Sequence, residues 1–173
     1  MSEMEAEDWI EQLGLVPLEI EGGHFREIYR SEERIPEAAL PGRYASRGDR
    51  AFGTVIYYLL TAGTVSSLHR LQSDEIYHFL AGDPVRMLQL RDEEADRSSR
   101  ILRIANSGEP GTRPQVVVPR GTWQGSRLEP GGRYALMGVT VTPGFEYDDF
   151  ELGHGDALVT AFPDRAEEIR RLT

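Results

Sequence analysis

The chain has 173 residues, 39% of them hydrophobic, with 18 glycines and 10 prolines, the make-up of an ordinary globular protein. Nineteen basic residues against twenty-nine acidic ones give a net charge of −10, which opposes broad attraction to nucleic-acid phosphates or anionic lipid. There is no cysteine and every basic residue is Arg, so disulfides, thiolate nucleophiles, cysteine metal sites, Schiff-base chemistry and a P-loop lysine are all excluded.

The first eight residues are acidic where a secretory or mitochondrial signal is basic, and no apolar run approaches the roughly 20 residues of a membrane span. A cytoplasmic protein without membrane or nucleic-acid partners is expected. Trp9, Ile10 and Leu13 then form one helical stripe closed by Gly14, which predicts a helix over 5–14. From 18 to 162 the character changes: short runs rich in Val, Ile, Tyr, Leu and Thr recur between Gly, Pro and Asp. They predict strands at 18–29, 52–60, 66–71, 75–80, 85–90, 100–104, 115–118, 122–128, 134–141 and 158–162. Residues 31–50 read as a loop long enough to be a lid or an ordered arm, and 91–99 as a solvated turn. Asp164 is placed to cap a last helix over 164–172. Strand-helix-strand units of roughly 30 residues are missing, so a parallel α/β sheet is not expected. The expectation is one all-β domain over 1–173, an antiparallel barrel or two-sheet jelly roll with a short helix at each end.

The stretch from Gly63 to Pro84 carries the chemistry. Period-two alternation puts Ser67, His69 and Leu71 on one strand face, and Glu75, Tyr77 and Phe79 on one face of the next. Ser73 and Asp74 lie between at a turn-like point, so His69 and Glu75 are expected to meet inside, across a hairpin. An imidazole beside a carboxylate is a general base with its orienter, and Tyr77 or Tyr58 can supply an acid. That set suits proton abstraction beside a carbonyl, as in epimerisation or isomerisation. It equally suits a satisfied polar pair that lines a binding cavity and transfers nothing.

Arg26 is the better arginine for clamping a substrate carboxylate or phosphate, since alternation turns Arg70 to the side opposite His69; a surface ion pair with a neighbouring acid is the alternative for either. Tyr58, Phe79, Trp123 and Phe145 are aromatics for a cavity wall or for the core. His78 faces away from Glu75 and reads as a surface or subunit-interface residue, and His154 as a loop residue. The acidic stretch 146–151 reads as a solvated loop followed by a strand rather than a hard-cation site.

Gly63, His69, Glu75 and Gly82 stand at the spacing of the first cupin motif, and Pro119-Arg-Gly-Thr-Trp-Gln124 resembles the second. Leu71 occupies the place of that family's second histidine and Gln124 the place of its third. Further blocks in order, Glu21-Gly-Gly-His-Phe-Arg26, Thr54 to Leu60, Asp74-Glu-Ile-Tyr-His78, Gln115 to Pro119 and Val141 to Glu151, make the chain similar to the cupin-5 family of the RmlC-like cupin superfamily. The resemblance implies a double-stranded β-helix (jelly-roll) barrel, commonly a homodimer, with a small-molecule pocket in its mouth. His69 and Glu75 are good metal ligands, Gln124 is a poor neutral one and Leu71 supplies nothing. No cofactor is therefore expected; a divalent transition metal, if held, would sit on His69, Glu75 and Gln124.

The function expected is a cupin binding a sugar-like or polar metabolite, with His69, Glu75 and Tyr77 as the proton-transfer set. Arg26, Tyr58, Phe79, Gln124 and Phe145 are its expected ligand contacts. The alternatives are a non-catalytic binding or sensing module and a metal-dependent cupin enzyme with a degenerate metal site.

Overall fold

The computed structural model describes residues 4–93, 96–106 and 108–173. In chain order the elements are α1 (Ala6–Leu13), β1 (Val16–Pro17), β2 (His24–Arg30), β3 (Arg34–Ile35), β4 (Arg50–Ala51), β5 (Thr54–Thr61), β6 (Ser66–Arg70) and β7 (Asp74–Gly82). They continue with β8 (Val85–Glu93), β9 (Asp96–Ile104), β10 (Thr112–Arg113), β11 (Gln115–Val118), β12 (Trp123–Leu128), β13 (Tyr134–Thr142), β14 (Glu151–Leu152), α2 (Gly155–Ala161) and α3 (Ala166–Arg170). The strands form a first sheet in the order β1-β2-β5-β13-β7-β11, a second in the order β10-β9-β8-β12-β6-β14, and a small β3-β4 ribbon.

Alternation decides what each sheet buries. Tyr58, Leu60, Tyr77, Ala135, Met137 and Val139 of the first sheet meet Val85, Met87, Ile104 and Leu128 of the second in one central core. The outer face of the second sheet presents Leu68, Leu88, Leu90 and Trp123 to Leu158 and Phe162 of the α2 segment and to Ile169 and Leu172 at the C-terminus. On the first sheet, Leu59, Tyr134 and Leu136 are covered by Trp9, Ile10 and Leu13 of α1. That helix starts with a reciprocal cap between Glu5 and Asp8,, and stops, as its sequence predicts, at Gly14, which is in the left-handed conformation,.

Three expectations are corrected. Residues 158–162 are helical rather than a strand, because Leu158 and Phe162 lie one helical turn apart and dock together on the second sheet,. The strand region therefore ends at β14, and the last helix is split into a 3-10 turn at Pro163–Arg165 and α3. Residues 91–93 and 96–99 are paired strand rather than loop, while 94 and 95 lie outside the described residues. The segment 31–50 is an ordered arm holding the β3-β4 ribbon and two 3-10 turns. Its buried Arg50 donates from Nε and Nη2 to the two carboxylate oxygens of Asp149 at 2.8 and 2.9 Å, while Tyr44 bonds Ser73 at 2.8 Å. No helix among the described residues is long and apolar enough to cross a membrane.

Candidate functional site

At one end of the space between the sheets a cavity of about 140 Å³ remains. Tyr58 of β5, Glu75 and Tyr77 of β7 and Val139 and Val141 of β13 face it from the first sheet, His69 of β6 and Leu71 from the other side. The segments 18–21 and 145–150 complete the enclosure. His69 and Glu75 are 1% and 4% exposed, so both polar groups are withdrawn from water and open only to this space.

They come together by a different route from the one expected. β6 pairs with β12 and β14 in the second sheet, whereas β7 pairs with β13 and β11 in the first. The turn at Ser73 carries the chain from one sheet to the other, and imidazole and carboxyl face each other across the sandwich rather than across a hairpin. What holds the ring is also different: His69 Nδ1 donates to the Ser67 carbonyl oxygen at 2.7 Å, which leaves Nε2 with its lone pair in the neutral ring. Gln124, opposite His69 in the β12-β6 register, places its amide nitrogen 2.7 Å from Nε2, 2.8 Å from the Tyr77 hydroxyl and 3.2 Å from Glu75 Oε2. Glu75 thus reaches the imidazole through an amide. One NH₂ has two hydrogens for these three acceptors, and Gln124 Oε1 is buried without a partner.

Burial pushes the Glu75 carboxyl up to about 7, the charge of Glu21 adding to the rise and His69 and the Gln124 bond opposing it,. Burial, reinforced by the charges of Glu75 and Glu21, also raises Tyr77 well above the ordinary phenol range. Tyr58 is raised by burial and by Glu21, and its hydroxyl donates to the Gly22 carbonyl oxygen at 3.0 Å.

Glu21 was not singled out from the sequence, yet it lines the cavity. Its Oε1 accepts from the Ser66 hydroxyl at 2.6 Å, and its Oε2 lies 3.7 Å from His69 Nε2. The turn behind it depends on Gly22, at φ +102°, where any Cβ would collide with the Val65 carbonyl oxygen. That glycine was the available signal.

Among the expected ligand contacts, Tyr58 and Phe145 face the cavity. Gln124 stands behind it, bonded to three of the site's polar groups, and Phe79 packs on the central core. Arg26 is turned away: it pairs with Tyr57 on the outer face and donates to the Leu13 carbonyl oxygen at 2.9 Å. Phe25 and Glu27 face inward instead, and a bulge between Glu27 and Tyr29 shifts the alternation by one residue, so that Arg30 rather than Tyr29 returns to the inner face,. Arg30 lines the mouth, bonded to Glu27 and Glu146.

The acidic stretch 146–151 leads into a strand at Glu151, as expected, and Tyr147 and Asp148 are exposed, but the rest of it is not a solvated loop. Asp149 is buried on Arg50, Glu146 bonds Arg30, and Phe150 stacks on the His69 ring with centroids 5.0 Å apart. Of the other histidines, His78 lies on the outer face near Gln115 and Thr140, and His154 is the residue before α2.

The donor set does not fit a transition metal. Leu71 brings hydrocarbon to the cavity, the one imidazole nitrogen facing inward meets an amide nitrogen, and no group of three or more His, Asp or Glu among the described residues is arranged to hold a metal,.

Two packed sheets flanked by short helices, with a polar cavity at one end, define a cupin-fold protein. The chain belongs to the cupin-5 family: residues 7–153 match the Cupin superfamily (DUF985). It is similar to protein SO0799 from Shewanella oneidensis, at 33% identity over 98% of both chains with a TM-score of 0.81. A hypothetical protein from Leishmania major is 30% identical over 98% of this chain and 99% of its own, with a TM-score of 0.84. A cupin 2 conserved barrel domain protein from Rhodopseudomonas palustris shares the fold at 14% identity, over 87% of this chain and 79% of its own, with a TM-score of 0.56. Oxalate decarboxylase from Bacillus subtilis shares it at 17% identity and a TM-score of 0.51, over 88% of this chain and 35% of its own. No curated protein matches the sequence.

Proposed function

We propose that this protein is a double-stranded β-helix cupin that takes up a compact small molecule in the cavity between its sheets and exchanges protons with it at Glu75, without a metal. The observation that carries the reading is the enclosed polar end itself: a carboxyl 4% exposed, titrating at about 7, facing a cavity of about 140 Å³. A carboxyl titrating near neutrality serves both as base and as acid. Glu75 Oε2 is held by Gln124, and its other oxygen is left for the ligand. Taking a proton from a carbon beside a carbonyl and returning it to the opposite face of that carbon, or to the neighbouring carbon, gives an epimer or an isomer, with no co-reactant consumed. Phe150 and the rest of the 145–150 segment, tied down through Asp149 and Arg50, keep water out.

The non-catalytic reading has one observation in its favour. His69 Nε2 faces Gln124 at 2.7 Å, so the imidazole is occupied within the protein. Incubation of the purified chain with a small-molecule extract separates the two: proton-transfer catalysis converts one compound into an isomer of the same mass, whereas a binding module retains a compound unchanged. Retention without conversion would remove the isomerase reading, and no retention and no conversion would remove both.

The outer face of the first sheet supports a homodimer. Ile28, Val55, Tyr57, Leu80 and Gln115 line a shallow hollow there with no Asp, Glu or Arg among its residues, a charge-free face on which two copies of a chain of net charge −10 can meet. Light scattering at micromolar concentration should give twice the mass of the chain, and Leu80→Arg should restore the monomer.

A further inference from the structure

We propose that the occupant of the cavity is a small organic ammonium ion, an amine carried on an apolar body of roughly six to ten non-hydrogen atoms. This rests on the cavity being a binding site, as argued above, and goes on to its chemical class. The size follows from the volume, about 140 Å³, close to that of engineered apolar cavities that hold one benzene ring.

The charge follows from an uneven inventory. The deep end carries two carboxyls, Glu21 and Glu75, each with only one oxygen hydrogen-bonded, to Ser66 and Gln124 respectively. Among the described residues, the only cationic or titratable nitrogen groups lining the space are His69 and Arg30. His69 is held between Ser67 and Gln124; its Nε2 lies 3.7 Å from Glu21 Oε2 but, as the lone-pair nitrogen of the neutral ring, donates nothing to it. Arg30 is already neutralised at the mouth, where Nη2 meets Glu27 at 2.8 Å and Nη1 meets Glu146 at 2.9 Å.

An anionic ligand would therefore bury its charge beside two carboxyls with no free cation to receive it, and a neutral one would leave the carboxyls uncompensated. An ammonium group satisfies both with its N–H donors. The aromatic walls, Phe25, Tyr58, Phe145 and Phe150, offer π faces to the same cation and apolar surface to its body.

Three probes of one shape isolate the charge: benzylamine, benzyl alcohol and benzoate, titrated calorimetrically into the full chain at about pH 8, where the amine is still protonated and Glu75 is ionised. The expected order is benzylamine at least about 10-fold tighter than benzyl alcohol, with benzoate weakest. Glu21→Gln should remove that preference by weakening benzylamine about 10-fold while leaving benzyl alcohol unchanged, with an unaltered far-ultraviolet spectrum showing that the variant is folded. Equal affinity for amine and alcohol, or tighter binding of benzoate, overturns the assignment of charge while leaving the cavity as a binding site. Failure of all three to bind overturns the cavity reading and the ammonium proposal with it.

Discussion

The two sheets build two unlike halves of one interior. Where β13 contributes Ala135 and Met137, the space is filled with hydrocarbon, Met87, Ile104 and Leu128 closing in from the other sheet. A few residues further along, where β13 contributes Val139 and Val141 and β7 contributes Tyr77 and Glu75, the sheets enclose a cavity instead. The difference lies in what the second sheet sends to meet them. At the filled end it sends Val85 and Met87; at the hollow end it sends His69 and, behind it, Gln124, whose amide nitrogen meets the imidazole at 2.7 Å. Stability resides in one half and chemistry in the other, and substitutions in the two should differ in their effects.

The largest effect is expected at the clasp that closes the hollow half. Asp149→Ala leaves Arg50, fully buried, with backbone carbonyls and the Tyr44 ring but no carboxylate partner, and should cost about 3 to 5 kcal/mol in chemical denaturation. It should also weaken any ligand, because it frees the 145–150 wall. Met137→Ala strikes the filled half. Its side chain is fully buried, and its loss should cost about 2 to 5 kcal/mol while leaving the affinity of a cavity probe within about twofold.

Glu75→Gln should act the other way. Between the ordinary 4.5 and about 7, the folded chain holds a proton on Glu75 that the unfolded chain has released. Stability therefore falls as pH rises through that window, by up to about 3 kcal/mol once both states are ionised. The glutamine variant lacks this loss. It should be more stable than the parent above about pH 7 and level with it near pH 4, measured as the difference between their unfolding free energies. Tyr77→Phe, which removes one partner of the Gln124 amide, should cost only about 1 kcal/mol.

How far the sequence reaches differs between the halves for physical reasons. Alternation is local, so it correctly turned His69, Leu71, Glu75 and Tyr77 inward, and it needed no knowledge of which sheet each strand joins. That knowledge is not local: the chain crosses between sheets at Ser73, a turn that reads like a hairpin, so the way His69 and Glu75 meet was misread. A bulge breaks the period, and for that reason Arg30 was overlooked. Glu21 sits in a turn before β2, where no period exists, and only the Gly22-Gly23 pair hints that the backbone is making room for something.

At the C-terminus, Leu158 and Phe162 are compatible with a strand and with one turn of helix, and docking onto Leu88 and Leu90 selects the helix,. The ion pair between Arg50 and Asp149 spans 99 residues, and nothing within either segment announces it.

The most direct test follows the side-chain carboxyl carbon of Glu75 by ¹³C NMR through a pH titration, with and without a cavity-sized probe such as benzyl alcohol. A midpoint at about 7, together with a resonance that shifts when the probe is added, is what a carboxyl facing an enclosed and accessible hollow must show. A midpoint at the ordinary 4.5 and indifference to the probe would mean that the group faces water, and the account of the site would be wrong.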